Sequence, residues 1–259
     1  MKDKNIKTAI DTVIEQFAPI GLEEMDSVKL LNRTDKKFVL PICKLTDILA
    51  DMHDKYRLLY INDISKQSYY TIYFDTPDQK MYVEHQNGKL NRFKVRYRNY
   101  ESTNAGFLEI KFKNNKGRTE KRRISFDYPV KNLSEANEFL QKNSPYKAED
   151  LLPISEVRYI RLTFVNIANG ERVTVDYNLQ VNMFNHNEQS EDFDHICIIE
   201  VKRDKNSGIS GIADILLKHR VTSNGMSKYC IGLAAVSDDI KKNRFKQKLR
   251  NLEKLRSDN

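Results

Sequence analysis

The residues best equipped for chemistry are cations at every second position. In Arg92-Phe93-Lys94-Val95-Arg96-Tyr97-Arg98, basic side chains alternate with Phe93, Val95 and Tyr97. Further on, Glu109, Lys111 and Lys113 alternate with Leu108, Ile110 and Phe112, and Lys121 and Arg123 share one side of a third run. Side chains of a strand point alternately to its two faces, so each run has one basic face and one largely apolar face. Guanidinium presents a fork of donors that suits phosphate oxygens, and ammonium adds a compact charge. Together they could bind a phosphate chain and stabilise the charge that spreads over its oxygens as a phosphoryl group moves. One such face would be content in water. Several lining a common cavity would repel one another and lose hydration unless an anion joined them.

Other chemistries find little support. No Ser-His-Asp set is evident, and the five histidines are scattered without ligand spacing. Cys43, Cys197 and Cys230 lie far apart with no C-x-x-C pair, which points to a reducing compartment and no zinc site. No apolar run is long enough to span a membrane, and Met1-Lys2-Asp3-Lys4-Asn5 lacks the apolar core of a signal peptide. The cytoplasm is the expected location. Nucleic acid is not an expected partner, because Phe93, Val95 and Tyr97 lie opposite the arginines that would flank stacked bases. The net charge of +8 is concentrated in Lys241, Lys242, Arg244, Lys246, Lys248, Arg250, Lys254 and Arg256, opposed there by Glu253 and Asp258. The body is therefore near neutral, and its chemistry depends on where charges sit.

The elements that must position these groups are mostly strands. Helical spacing covers 5–17, and Pro41 opens a second helix to about 54. Strands are predicted over 28–40, 56–61, 68–75, the three basic runs, 156–167, 172–181 and 195–204, with Thr76 capping a short helix through about 85. Residues 133–142, 209–219, 226–235 and the basic stretch from 239 read as helices. Residues 185–194 are polar and acidic and read as an exposed loop. With 259 residues, no internal repeat and no dividing linker, the expectation is an α+β fold. Its core would be an antiparallel β-barrel of about eight or nine strands, with helices packed outside and a charge-lined tunnel within. The segments would be an N-terminal helix (1–21), the tunnel domain (22–236) and a basic C-terminal helix or tail (237–259). That tail would be a solvated helix, an electrostatic feeder for an anionic ligand or a contact with an anionic surface.

Eight motifs occur in order: Arg33-x-Asp35-x-Lys37, Tyr73-Phe74-Asp75-Thr76, Lys94-Val95-Arg96-Tyr97-Arg98, Glu109-x-Lys111, Tyr159-x-Arg161, Arg172-x-Thr174-x-Asp176, Glu200-x-Lys202 and Ser227-Lys228. Together they resemble the VTC domain, the polyphosphate polymerase branch of the CYTH-like triphosphate tunnel metalloenzymes. The resemblance implies a transferase that binds ATP with Mn2+ or Mg2+ and passes the terminal phosphate to inorganic polyphosphate. It assigns Lys37, Arg96, Arg98, Lys111, Lys121, Arg161 and Lys228 to phosphate, extended by Lys113 and Arg123. Tyr159 and Ser227 would touch phosphate too, and Glu200 would be the metal ligand. Hydrolytic members of the wider group carry Glu-x-Glu-x-Lys where this chain has Arg33-Thr34-Asp35-Lys36-Lys37. The loss of one carboxylate favours the polymerase branch. The alternatives are a triphosphate hydrolase or nucleotide cyclase of the same fold, or a non-catalytic polyphosphate binder. A domain of this kind would stand alone or belong to a complex with a membrane-associated partner.

Overall fold

The computed structural model describes residues 2–27, 33–127, 132–184, 186–204 and 210–257. The first part of the chain runs α1 (Lys2–Ile14), β1 (Pro19–Ile20), α2 (Leu22–Ser27), β2 (Arg33–Pro41), α3 (Leu45–Met52), β3 (Arg57–Leu59), β4 (Gln67–Asp75) and α4 (Lys80–Gln86). The three basic runs follow as β5 (Arg92–Tyr100), β6 (Ala105–Lys113) and β7 (Thr119–Ser125), then α5 (Asn137–Asn143). Next come β8 (Leu152–Asn166), β9 (Glu171–Met183), β10 (His186–Phe193) and β11 (Ile196–Asp204). The helices α6 (Gly211–Lys218), α7 (Lys228–Val236) and α8 (Lys246–Ser257) complete the described chain. Part of the strand expected over 28–40 and the first residue of the helix expected over 209–219 lie outside the described residues.

The strands form one sheet in the order β2-β11-β9-β8-β4-β5-β6-β7. All of these pairs are antiparallel, and the only parallel pairing described joins β1 to β3. The long central strands β8 and β9 each serve two neighbours along one edge. β4 and β3 share an edge of β8, while β11 and β10 share an edge of β9. The sheet is strongly curled like a tunnel wall, yet its path ends at β2 and β7. This corrects the expected closed barrel. Both ends are cationic, with Lys36 and Lys37 on β2 and Lys121, Arg122 and Arg123 on β7, and like-charged edges resist pairing.

One face of the sheet carries the main core. Leu162, Phe164, Val173, Val175, Cys197, Ile199 and Val201 pack under α1, α3 and α6 through Ile10, Ile14, Ile48, Leu49, Ile212 and Leu216. Val95, Tyr97, Leu108 and Ile110 pack against Leu140 of α5 and its neighbours Leu133 and Ala136. Burying side chains of this size contributes about 1.5–3 kcal/mol each, so the inward cations are held by a well-anchored scaffold. None of the three cysteines forms a disulfide.

The other face is not purely polar. Val157, Tyr159, Leu179, Val181 and Ile198 form a second apolar surface, and α7 lies on it through Tyr229, Cys230, Ile231 and Leu233. A helix that is apolar all round must be buried on all sides, as α7 is. At Gly232 a β-carbon would come within 2.9 Å of both Val181 methyls, so glycine permits the close crossing. A bulge creates this surface. Asn178 adopts φ +53°, and the β8–β9 register shifts between Arg158 and Ile160. The extra residue returns Leu179 and Val181 to the face of Asp176. Strict alternation along the strand expected over 172–181 therefore stops at Tyr177.

Within the stretch 185–194 expected as a loop, His186–Phe193 instead forms β10. Its ladder with β9 uses backbone groups, so polar side chains suit an edge that faces water. Among the described side chains of β10, Phe193 alone turns fully into the core under α7 and α8. Among the described residues no helix is long and apolar enough to cross a membrane.

Candidate active site

The β5–β6–β7 ladder builds the first group. Arg96 stands opposite Glu109, and its Nε donates to Glu109 Oε2 at 2.7 Å. Lys121 of β7 pairs with the other oxygen of the same carboxylate, which is wholly buried. Burial opposes ionisation of Glu109, but Arg96, Arg98 and Lys121 overcome it and hold the carboxyl far below its usual range. Arg98 is 6% exposed. Its only hydrogen bond among the described residues is a long one to Thr71 Oγ1 at 3.4 Å, and it lies over the rings of Tyr69 (5.1 Å) and Tyr159 (5.9 Å). Lys111 likewise forms no ion pair there. Repulsion from Arg96, then burial, then Arg98 push its ammonium well below the ordinary lysine range.

The second group joins β8, β9 and α7. Arg161 grips Asp176 with two bonds, Nε to Oδ1 at 2.5 Å and Nη2 to Oδ2 at 2.7 Å. Lys228, the first residue of α7, pairs with the same Oδ2 and sits 4.5 Å from the Tyr159 ring centre. Ser227 caps α7 by accepting from Cys230 N at 3.2 Å, and it also accepts from Lys94 Nζ at 2.7 Å. The helix is pinned at its second residue too. Tyr229 Oη donates to Asp75 Oδ2 at 2.5 Å, and Asp75 also accepts from the backbone of Met81 and Tyr82 at the start of α4.

The third group spans β2 and β11. Lys37 opposes Glu200 in register, with Nζ 2.6 Å from Oε1, while Lys202 Nζ lies 3.9 Å away. Burial opposes the ionised form of Glu200, but Lys202 and Lys37 bring its pKa down to about 2. Among the described residues no group of three or more His, Cys, Asp or Glu could hold a metal. Of Glu109, Asp176 and Glu200, the first two are bonded to arginine, whereas the bond described for Glu200 is to Lys37. Such a donor set fits a divalent ion that takes most of its oxygens from phosphate and water, not one caged by protein.

A family model of the VTC domain matches residues 32–237. The chain belongs to the VTC domain family. Its fold is that of the CYTH-like triphosphate tunnel proteins, and it is a tunnel-fold protein that handles phosphate. HpAC1 from Hippeastrum, described as an adenylyl cyclase candidate with a dominant triphosphatase activity, aligns with a TM-score of 0.53 at 14% identity. That alignment spans 79% of this chain and 97% of the other, and at such identity it shows the fold alone. A Bacillus halodurans protein, described as an adenylate cyclase candidate, aligns with a TM-score of 0.48 at 13% identity over 83% of this chain and 97% of its own. No curated protein matches the chain.

Within this VTC domain, Lys37, Arg96, Arg98, Lys111, Lys121, Tyr159, Arg161, Glu200 and Lys228 converge on one face. Lys113 and Arg123 are exposed, with Arg123 laid over the Phe107 ring at 4.5 Å. Ser227 faces the cations, and its oxygen serves α7 and Lys94. Strand parity alone would have added Lys94, which shares a face with Arg96. It would also have added Tyr73, the cross-strand partner of Arg96. Burial tends to raise the Tyr73 phenol, yet Arg96, Arg98, Lys228 and Lys94 together bring it below its ordinary value.

The depressed carboxylates carry an acid prediction. Each contributes stability above its unfolded pKa and loses it as pH falls through the folded one. Thermal melts are expected to hold steady down to about pH 5 and to drop steeply from there toward about 2, where Glu200 protonates. A flat melting temperature across that window would show that these pairs do not support the fold.

Proposed function

We propose that the chain is a metal-dependent phosphotransferase that lengthens inorganic polyphosphate with the terminal phosphate of ATP. One observation supports this reading above others. The buried and half-buried cations Lys37, Lys94, Arg96, Arg98, Lys111, Arg161 and Lys228 outnumber Glu109, Asp176 and Glu200, and each of these three carboxylates is already engaged by a cation. Arg98 and Lys111 are left to an anionic ligand, and Lys37, Lys94 and Lys228 can turn to it by exchanging partners. Tyr69, Tyr73 and Tyr159 wall the site and keep water low, which strengthens each charge contact.

An oxygen of the acceptor's terminal phosphate would form the new bond to the γ-phosphorus. The bond to the β–γ bridging oxygen would break, and ADP would leave with the electron pair. Arginine and lysine side chains would hold donor and acceptor in line and neutralise charge on the transferring group. A divalent ion, Mn2+ or Mg2+, held by Glu200 would add positive charge and orient the triphosphate oxygens.

No base is needed, because the attacking phosphate oxygen is already ionised. Hydrolysis would ask a side chain to take a proton from water. Glu109, Asp176 and Glu200 are poor bases, since their pKa values are all depressed. The chemistry therefore favours transfer to phosphate over transfer to water. The test is incubation with ATP and Mn2+, read by gel for polymer and by assay for ADP. Polymer with stoichiometric ADP is expected. Free phosphate, or cyclic nucleotide with pyrophosphate, and no polymer would replace the proposal with a hydrolase or a cyclase.

A further inference from the structure

Thr174 holds a hydroxyl that the rest of the fold does not use. It lies on β9 directly across from Glu200 on one side and from Thr163 on the other. Val173 and Val175 point into the opposite core, so Thr174 shares the face of Asp176 and the cations. Its side chain is 4% exposed, and its Oγ1 meets no hydrogen-bond partner. The groups around it are taken. Arg161 and Lys228 hold Asp176, and Lys37 holds Glu200.

A buried hydroxyl without a partner costs stability, and valine would fill the same space without that cost. The flanking positions 173 and 175 are in fact valine. A threonine here is explained if its oxygen meets something that binds. Directly opposed residues of an antiparallel pair hold their β-carbons about 4.5–5.5 Å apart, close enough for both side chains to reach one ion. A hydroxyl oxygen has lone pairs to give, and hard divalent ions choose oxygen.

Building on the reading that Glu200 takes a divalent cation, we propose that Thr174 Oγ1 supplies the second protein oxygen of that cation's shell. Water and phosphate oxygens fill the remaining positions. Lys37 then leaves Glu200 and turns to phosphate, so the lysine and the cation exchange places around one carboxylate.

The test uses Mn2+ titrated into the full chain with a non-hydrolysable ATP analogue, with free Mn2+ read by electron paramagnetic resonance. Metal-free affinity for tripolyphosphate is measured separately by calorimetry in chelator. Thr174→Val is expected to weaken Mn2+ binding at least tenfold, within the range for removal of a group that supports a metal. Thr174→Ser is expected to restore it, and neither variant is expected to change metal-free tripolyphosphate affinity. Thr174→Val is also expected to melt no lower than the parent, because it removes an unpaired hydroxyl. Thr174→Ala removes the same oxygen with no demand for space and serves if valine disturbs the packing.

Wild-type Mn2+ affinity in both hydroxyl-free variants, alongside a loss in Glu200→Gln, overturns the role of Thr174 and leaves that of Glu200. An equal loss of metal-free tripolyphosphate affinity overturns it too, by making the hydroxyl a direct phosphate donor. Unchanged Mn2+ affinity in Glu200→Gln removes the metal reading underneath.

Discussion

Glu109→Gln is expected to lower the melting temperature by roughly 10 °C, and saturating tripolyphosphate is expected to recover most of that loss. Glu109 is wholly buried between Arg96 and Lys121, with Arg98 and Lys111 within electrostatic reach. It is the anion bonded directly to that cluster among the described residues, while Glu200 acts on Lys111 through space. Removing one partner from a buried ionic group leaves charge uncompensated and costs about 3–5 kcal/mol. For a chain of this size each kcal/mol shifts melting by about 2–4 °C. A ligand at a hundredfold excess over its Kd returns about 2.7 kcal/mol.

The variant is further expected to bind tripolyphosphate more tightly than the parent, since the ligand replaces a missing negative charge. Glu24→Gln is the comparison, because its pair with Arg57 is about half exposed and worth no more than about 1 kcal/mol. Differential scanning fluorimetry with and without tripolyphosphate reads both effects. A large loss for Glu109→Gln that no polyanion restores would make Glu109 purely architectural, and the cluster would not be a phosphate site.

The alternation in Arg92–Arg98 and Glu109–Lys113 was enough to set which side chains share a face, because strand parity is local. It did not set the register between strands, and the opposition of Arg96 to Glu109 came only with the structure. Parity failed where the backbone broke it. Nothing in Asp176-Tyr177-Asn178-Leu179 announces that Asn178 will take a left-handed φ and return Leu179 to the face of Asp176. The face was therefore expected to be charged throughout, and the seat of α7 was not foreseen. β10 escaped for a related reason, since an edge strand exposed to water needs no apolar alternation. Curling without closure depends on how two cationic edges approach, which is a property of distant segments. The unpaired hydroxyl of Thr174 could not be seen at all before its neighbours were in place.

Arg98 is where binding and stability are expected to separate most sharply. Replacement by methionine keeps the aliphatic reach and a contact with the aromatic rings while removing the charge. Its guanidinium is bonded only to Thr71, at 3.4 Å, among the described residues, so no carboxylate is orphaned by the change. Two effects on stability oppose each other. Stacking over Tyr69 and Tyr159 is lost, worth about 0.5–2 kcal/mol. Repulsion with Arg96 and Lys111 is relieved in return, which leaves the melting temperature within about 3 °C of the parent. Phosphate has no such compensation. A charge-assisted bond lost from a desolvated site costs about 2–5 kcal/mol, so tripolyphosphate affinity is expected to fall about a hundredfold by calorimetry. Arg161→Met makes the contrast, because it strips Asp176 of its bidentate partner and leaves Lys228 alone to hold a fully buried carboxylate. That variant is expected to lose both stability and binding. If Arg98→Met bound tripolyphosphate like the parent, the anion would have to lie elsewhere, and the cations of β5 would need another explanation.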